Sequence, residues 1–123
     1  MQKMVLVLVL ALASIAVLFS GTVAARELTA SEKKVIEESA KQKLKDPDSA
    51  KIYWQPDMGG GVYCAQINAK NSYGGYAGKA LLFAGVKRDS QGKIIGAGVS
   101  IDSDDIAELM MPICTDAGYH FPG

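Results

Sequence analysis

The chain has 123 residues, with 13 Lys plus Arg balanced by 13 Asp plus Glu, a single His and two Cys. A net charge of zero lacks the basic excess that nucleic-acid or anionic-membrane binding usually leaves, so neither partner is expected. The length allows one domain at most, and the 49% hydrophobic content is inflated by an apolar N-terminal stretch.

Residues 1–25 read as a signal peptide. Met1-Gln-Lys3 gives one positive charge, and Met4 to Phe19 is apolar apart from Ser14. Ser20-Gly-Thr-Val-Ala-Ala25 then puts Val23 and Ala25 where a signal peptidase reads small residues. Cleavage after Ala25 makes Arg26 the first residue of a mature domain, 26–123, carrying 12 basic against 13 acidic residues once Lys3 is lost. The competing reading is an uncleaved anchor, because the apolar run approaches the roughly 20 residues that span a membrane. No cysteine follows the run at the lipobox position that a lipoprotein would require. The expected location is periplasmic or secreted. In such an oxidising compartment Cys64 and Cys114 are expected to pair, closing a loop of about 50 residues and stabilising the fold by roughly 4 kcal/mol.

Thr29-Ala-Ser-Glu32 has the spacing of a capping box and predicts a helix from Ala30 to Leu44. Val35, Ile36, Ala40 and Leu44 form its narrow apolar stripe, while Glu32, Lys33, Lys34, Glu37, Glu38, Lys41 and Lys45 occupy the rest as a solvated face of mixed sign. Lys45-Asp-Pro-Asp-Ser49 ends the helix, with Asp46 and Pro47 restarting a single tight turn. Ala50 to Gln55 has strand composition and is closed by Pro56-Asp57 and the glycines Gly59 to Gly61. The lone Trp54 reads as core, with a ligand platform as the alternative.

The organising stretch is Val62 to Gly85. Tyr63, Ala65 and Ile67 alternate with Val62, Cys64 and Gln66, which predicts a strand with two differently dressed faces. Ala80 to Val86 is almost continuously apolar, as a strand covered on both sides would be. Asp89-Ser-Gln-Gly92 is a turn, and Lys93 to Ile101 a further strand, in which Gly96 and Gly98 weaken the strand or admit close backbone contact. Asp102 to Asp105 cap a last helix whose Ile106, Leu109, Met110, Ile113 and Ala117 recur at helical spacing, with Pro112 expected to kink or shorten it and Gly118 to stop it. Tyr119 to Gly123 reads as a loose tail.

Three chemical motifs fail on inspection. Gly74-Gly-Tyr-Ala-Gly-Lys79 is too short for a phosphate-binding loop, and Ala80 stands where Ser or Thr must reach magnesium. Asp102-Ser-Asp-Asp105 opens like a calcium loop but has Ala107 at its sixth position and Ile113 at its twelfth. A metal site or a Cys and His nucleophilic pair would have to use His120 beside cysteines expected to be oxidised. No cofactor or metal is therefore expected. What remains is the loop from Asn68 to Gly78, where Asn68, Lys70, Asn71, Tyr73 and Tyr76 offer amides, a charge and amphipathic rings among three glycines. Such a set grips a protein or glycan at low entropic cost, or else simply satisfies a turn.

Leu44-Lys-Asp-Pro-Asp-Ser-Ala-Lys51, Tyr63-Cys64 and Asn68-Ala-Lys-Asn-Ser-Tyr-Gly-Gly-Tyr-Ala-Gly78 together resemble a family of small exported bacterial and phage-associated proteins. The similarity covers about a third of the mature chain and departs after Gly78, where the family usually has an aromatic residue and this chain has Lys79. No activity attaches to that family. The resemblance therefore implies compartment and architecture and carries over no catalytic residue.

The sequence thus predicts one α+β domain: an N-terminal helix, an antiparallel sheet of about four strands, and a C-terminal helix tied to the sheet by a Cys64–Cys114 disulfide. The expected function is an exported, non-enzymatic binding module that recognises a protein or cell-envelope ligand through the Asn68–Gly78 loop, with an inhibitor or immunity protein as its sharper form. The alternatives are a small envelope hydrolase using Cys64 or Cys114 with His120, and a membrane-tethered structural protein.

Overall fold

A computed structural model describes residues 25–70, 78–102 and 104–121, the side chains of 102–106 excepted. The expected leader lies outside the described residues apart from Ala25, which is exposed. Among the described residues no helix is long and apolar enough to cross a membrane. The fold is the expected α+β arrangement: α1 (Ala30–Lys41), β1 (Lys51–Tyr53), β2 (Val62–Asn68), β3 (Ala80–Arg88), β4 (Ile94–Asp102) and α2 (Asp104–Asp116), with a short 3-10 turn at Pro47–Ser49. The strands pair in chain order as a four-stranded antiparallel meander.

The capping box forms as its spacing predicts. Thr29 Oγ1 accepts the Glu32 N–H at 3.2 Å, and the Glu32 carboxylate accepts the Thr29 N–H at 3.0 Å. The helix ends at Lys41 rather than Leu44, because Lys43 and Leu44 donate to carbonyls three residues back and tighten the last turn ahead of Pro47. The first strand is three residues long instead of six. Beyond Tyr53 the main chain bonds a side chain: the Tyr63 hydroxyl donates to Gln55 O at 2.6 Å and accepts from Gln55 N at 2.8 Å.

Antiparallel register places Tyr63, Ala84 and Val99 on one face together with Ala65, Leu82 and Ile67, and all six are buried. They share one core with Ile36 and Ala40 of α1, which lies against β4. Cys64 projects from the other face, where it meets Cys114 of α2. Neighbouring Leu81 and Leu82 are both buried, so β3 is covered on both sides at its start, as its apolar run predicts.

Three details depart from expectation. A register shift at Lys87 and Arg88 pairs Arg88 with Ile94 and leaves Ile95 as the extra residue, so Ile94 is buried and Ile95 points outward. Gly98 has no neighbour within 4 Å of where a Cβ would stand, so no close backbone contact explains it. Pro112 lies on the exposed side inside a continuous α2 and does not end it.

Helix α2 is also rotated from the stripe its sequence suggests. Cys114 is buried with Ala107, Met110, Met111 and Ala117 packed on the core, whereas Leu109 and Ile113 are exposed. At about 100° per residue, Ile113 and Leu109 stand about 100° and 140° around the helix from Cys114. The bridge fixes which face turns inward. Gly118 stops the helix as expected, at a positive φ of 101°. Tyr119, expected in a loose tail, is instead buried edge-on to Tyr63 at 5.6 Å between ring centroids. Its hydroxyl accepts from Met58 N at 3.2 Å and donates to Val62 O at 3.3 Å, which closes the sheet edge that the short β1 leaves open.

Candidate binding site

The disulfide is present, with the Cα atoms of Cys64 and Cys114 5.9 Å apart and both residues fully buried. While they are bonded, neither sulfur offers the thiolate that a Cys and His hydrolase would need. His120 is exposed. The side chains that would open a calcium loop lie outside the described residues, and among the described residues no three His, Cys, Asp or Glu side chains gather as a metal site would require.

Of the five loop residues singled out by sequence, Asn71, Tyr73 and Tyr76 lie outside the described residues. Asn68 and Lys70 are at the neck. Asn68 Oδ1 accepts the Gly78 N–H at 3.1 Å, so this amide closes the loop on itself. The Lys70 N–H donates to Ser49 Oγ at 2.8 Å, and Ser49 Oγ in turn donates to Asp46 O at 2.7 Å. The loop is therefore tied to the 3-10 turn, 21 residues earlier in the chain. Pro47 shapes that turn, and Asp46 contributes its carbonyl without capping through its side chain. Gly78 takes a positive φ of 97°, which a residue with a Cβ adopts only under strain. Lys79 places its Nζ 4.4 Å from the Tyr53 ring centroid, a cation–π contact that joins the loop's exit to the edge strand.

At the opposite end of the sheet is a cluster that sequence reasoning missed. Glu32 and Asp57 are the two buried charged residues among those described. Each carboxylate faces an arginine in a two-bond fork. Arg26 donates to the two Glu32 oxygens at 2.7 and 2.8 Å, and Arg88 to the two Asp57 oxygens at 2.7 and 2.8 Å. Arg26 also approaches Asp57 at 3.1 Å, linking the pairs. The remaining acceptor capacity goes to main chain: Glu32 takes the Thr29 and Ile94 N–H groups, and Asp57 takes that of Gly59. The arginines return the favour to carbonyls, Arg88 to Gly60 and both guanidiniums to Gly92. Arg26 and Asp57 exchange main-chain bonds as well.

The fork from Arg26 holds the Glu32 carboxyl well below the usual carboxylate range, against the upward push of burial. For Asp57 burial is the largest influence and pushes upward, yet the Arg88 fork and the Gly59 N–H prevail and the net shift is downward. Burial raises the phenols of Tyr63 and Tyr119, so both act as neutral hydrogen-bonding groups. Nothing in this cluster opens a reaction: every charge is matched by a fixed partner, which suits a brace better than an acid or base. Its one visible sequence signal is the capping box, which names Glu32 but not its second role.

The locked end and the loop neck lie at opposite ends of a nine-residue strand, about 25 Å apart. Comparison with protein-family models, with curated proteins and with solved structures returns no match.

Proposed function

We propose that the protein is an exported, non-enzymatic binding module that recognises a protein or cell-envelope ligand through the 68–78 loop. The observation that carries this reading is the tied neck. Asn68 to Gly78 closes the loop's two ends on each other, and Lys70 to Ser49 and Lys79 to Tyr53 fasten them to two neighbouring segments. A loop whose ends are fixed loses less entropy on binding than one hinged freely, and its tyrosines would supply contact area. The sharper form of the proposal is an inhibitor or immunity protein directed at an envelope-degrading enzyme. Export, and kinship with the small exported proteins that the sequence resembles, belong to the same proposal, and a mature N-terminus at Arg26 is the expected result of N-terminal sequencing.

The test is capture from envelope extract with the wild-type protein and with an Asn71, Tyr73 and Tyr76 triple-alanine variant. The wild type is expected to retain a defined set of partners that the variant loses. Equal capture by both proteins would sink the proposal.

A further inference from the structure

Trp54, the only tryptophan in the chain, is half-buried rather than part of the closed core. One side of it meets Tyr63, with ring centroids 6.3 Å apart. It also lines a surface cleft of about 110 Å³, shared with Leu28, Pro56, Glu27, Lys33 and Gln55. Trp54, Leu28 and Pro56 give the cleft an apolar floor. Glu27, Lys33 and Gln55 give it a rim with an acceptor, a donor and an amide that is both.

We infer that this cleft is a saccharide site that takes a single pyranose ring, stacked on the Trp54 indole and hydrogen-bonded by Glu27, Gln55 and Lys33. Three features point to that ligand class. First, the Glu27 and Gln55 side chains are uncommitted: the hydrogen bonds of these two residues among the described residues use main-chain atoms alone. Lys33 contacts the indole face, with its Nζ 5.7 Å from the ring centroid. Second, one fixed cation and one fixed anion border the same small space, so neither a cationic nor an anionic ligand gains from the local charge. A neutral ring bearing hydroxyls can satisfy donor and acceptor together, and the apolar hydrogens on its face suit an indole floor. Third, the volume is well below the roughly 300–1,000 Å³ of pockets that enclose drug-sized ligands. A polyproline peptide needs a run of aromatic ridges, and this cleft has one.

The site is distinct from the loop of the proposed function. Trp54 follows the end of β1 that pairs with Gln66, whereas the loop neck adjoins the end that pairs with Asn68. Each can fail without the other.

The sole tryptophan makes the test direct. Titration with the β-1,4-linked trimer of N-acetylglucosamine, and separately with maltotriose, is read by Trp54 emission, with a polyproline peptide as the competing ligand class. The expected result is a saturable emission change with at least one saccharide. Calorimetry should show its affinity weakened about fivefold in Gln55→Ala and in Glu27→Gln, a loss on the scale of one hydrogen bond. The triple-alanine loop variant should bind the saccharide unchanged. Both substitutions fall on the cleft rim and leave the Gln55 main-chain bonds to Tyr63 in place, and circular dichroism checks that the fold is kept. Silence with both saccharides up to their solubility limit overturns the inference. So does a response to the peptide alone, or a saccharide response that neither rim substitution weakens.

Discussion

Replacing Glu32 by Gln tests whether the buried carboxylates brace the fold. The substitution keeps the shape and removes the charge. Each Glu32 oxygen now accepts two hydrogen bonds, Oε1 from Arg26 and the Thr29 N–H, and Oε2 from Arg26 and the Ile94 N–H. Whichever way the Gln amide is turned, its NH2 group faces two donors, and one main-chain N–H loses its partner, the part-buried one of Thr29 or the buried one of Ile94. Breaking one side of a buried pair costs about 3–5 kcal/mol. Arg26 is 43% exposed and can turn partly to water, which brings the cost to the bottom of that range or just below it, about 2–3 kcal/mol. For a domain of this size that lowers the melting temperature by about 10–20 °C. Thermal and urea unfolding followed by circular dichroism measure it, with Glu38→Gln as the control. Glu38 is exposed and reaches only Lys34, at 4.0 Å, so its loss should cost less than about 0.5 kcal/mol. A Glu32→Gln protein as stable as that control would refute the bracing argument.

The same pairs set the acid limit of the fold. Both carboxyls are depressed when folded, so their stabilisation is complete above the ordinary carboxylate range near pH 4 and is lost as pH falls through the lower folded values. Unfolding titrations should therefore show stability falling below about pH 4, less steeply in Glu32→Gln. Converting Cys64 and Cys114 together to Ala should cost about 4 kcal/mol, from a bridge spanning 50 residues, and Ellman titration of the native protein should find no free thiol. Tyr119→Phe removes the partner of the Met58 N–H and should cost about 1 kcal/mol in urea unfolding, whereas an unbonded tail would register no change.

Local and pairwise signals were legible in the chain, and signals made by folding were not. Thr29 and Glu32 are three residues apart, so their mutual capping follows from helix geometry alone. Cys64 and Cys114 have no other partner to choose. Alternation in β2 and the unbroken apolar run of β3 each announced how the strand is covered. The ion cluster joins residues 31 apart at Asp57 and Arg88, and nothing near either distinguishes them from surface charges. Helical spacing alone puts Glu32 on the wet face of α1, but its burial depends on Arg26 arriving from outside the helix. The inward turn of Ile94 and outward turn of Ile95 follow from one inserted residue, and shifting the strand by one exchanges its faces. Tyr119 read as tail because the aromatic socket formed by Tyr63 and the Met58 main chain exists only after the sheet edge is left open. For the candidate loop the composition was visible, while the tie from Lys70 to Ser49 was not.

The strand β2 explains why these separate devices belong to one design. Four of its seven residues reach out of the sheet to different segments: Val62 O to Tyr119, the Tyr63 hydroxyl to Gln55, Cys64 to Cys114, and Asn68 Oδ1 to Gly78. The first three fasten the chain's C-terminal part and the run after β1, and the fourth closes the loop. Because β1 offers only three residues of pairing, β2 is close to an edge strand, and an edge left bare invites pairing with other chains. The Tyr119 hydroxyl on Val62 O, and the Gln55 main chain on the Tyr63 hydroxyl, occupy the stretch beyond β1. The neck bonds of the loop are made apart from α2: Gly78 donates to Asn68, and the Lys70 N–H to Ser49. The ion cluster and the Tyr119 bonds thus sit at the end of the sheet away from the loop, so substitutions within 68–78 leave them in place, as the proposed recognition role requires.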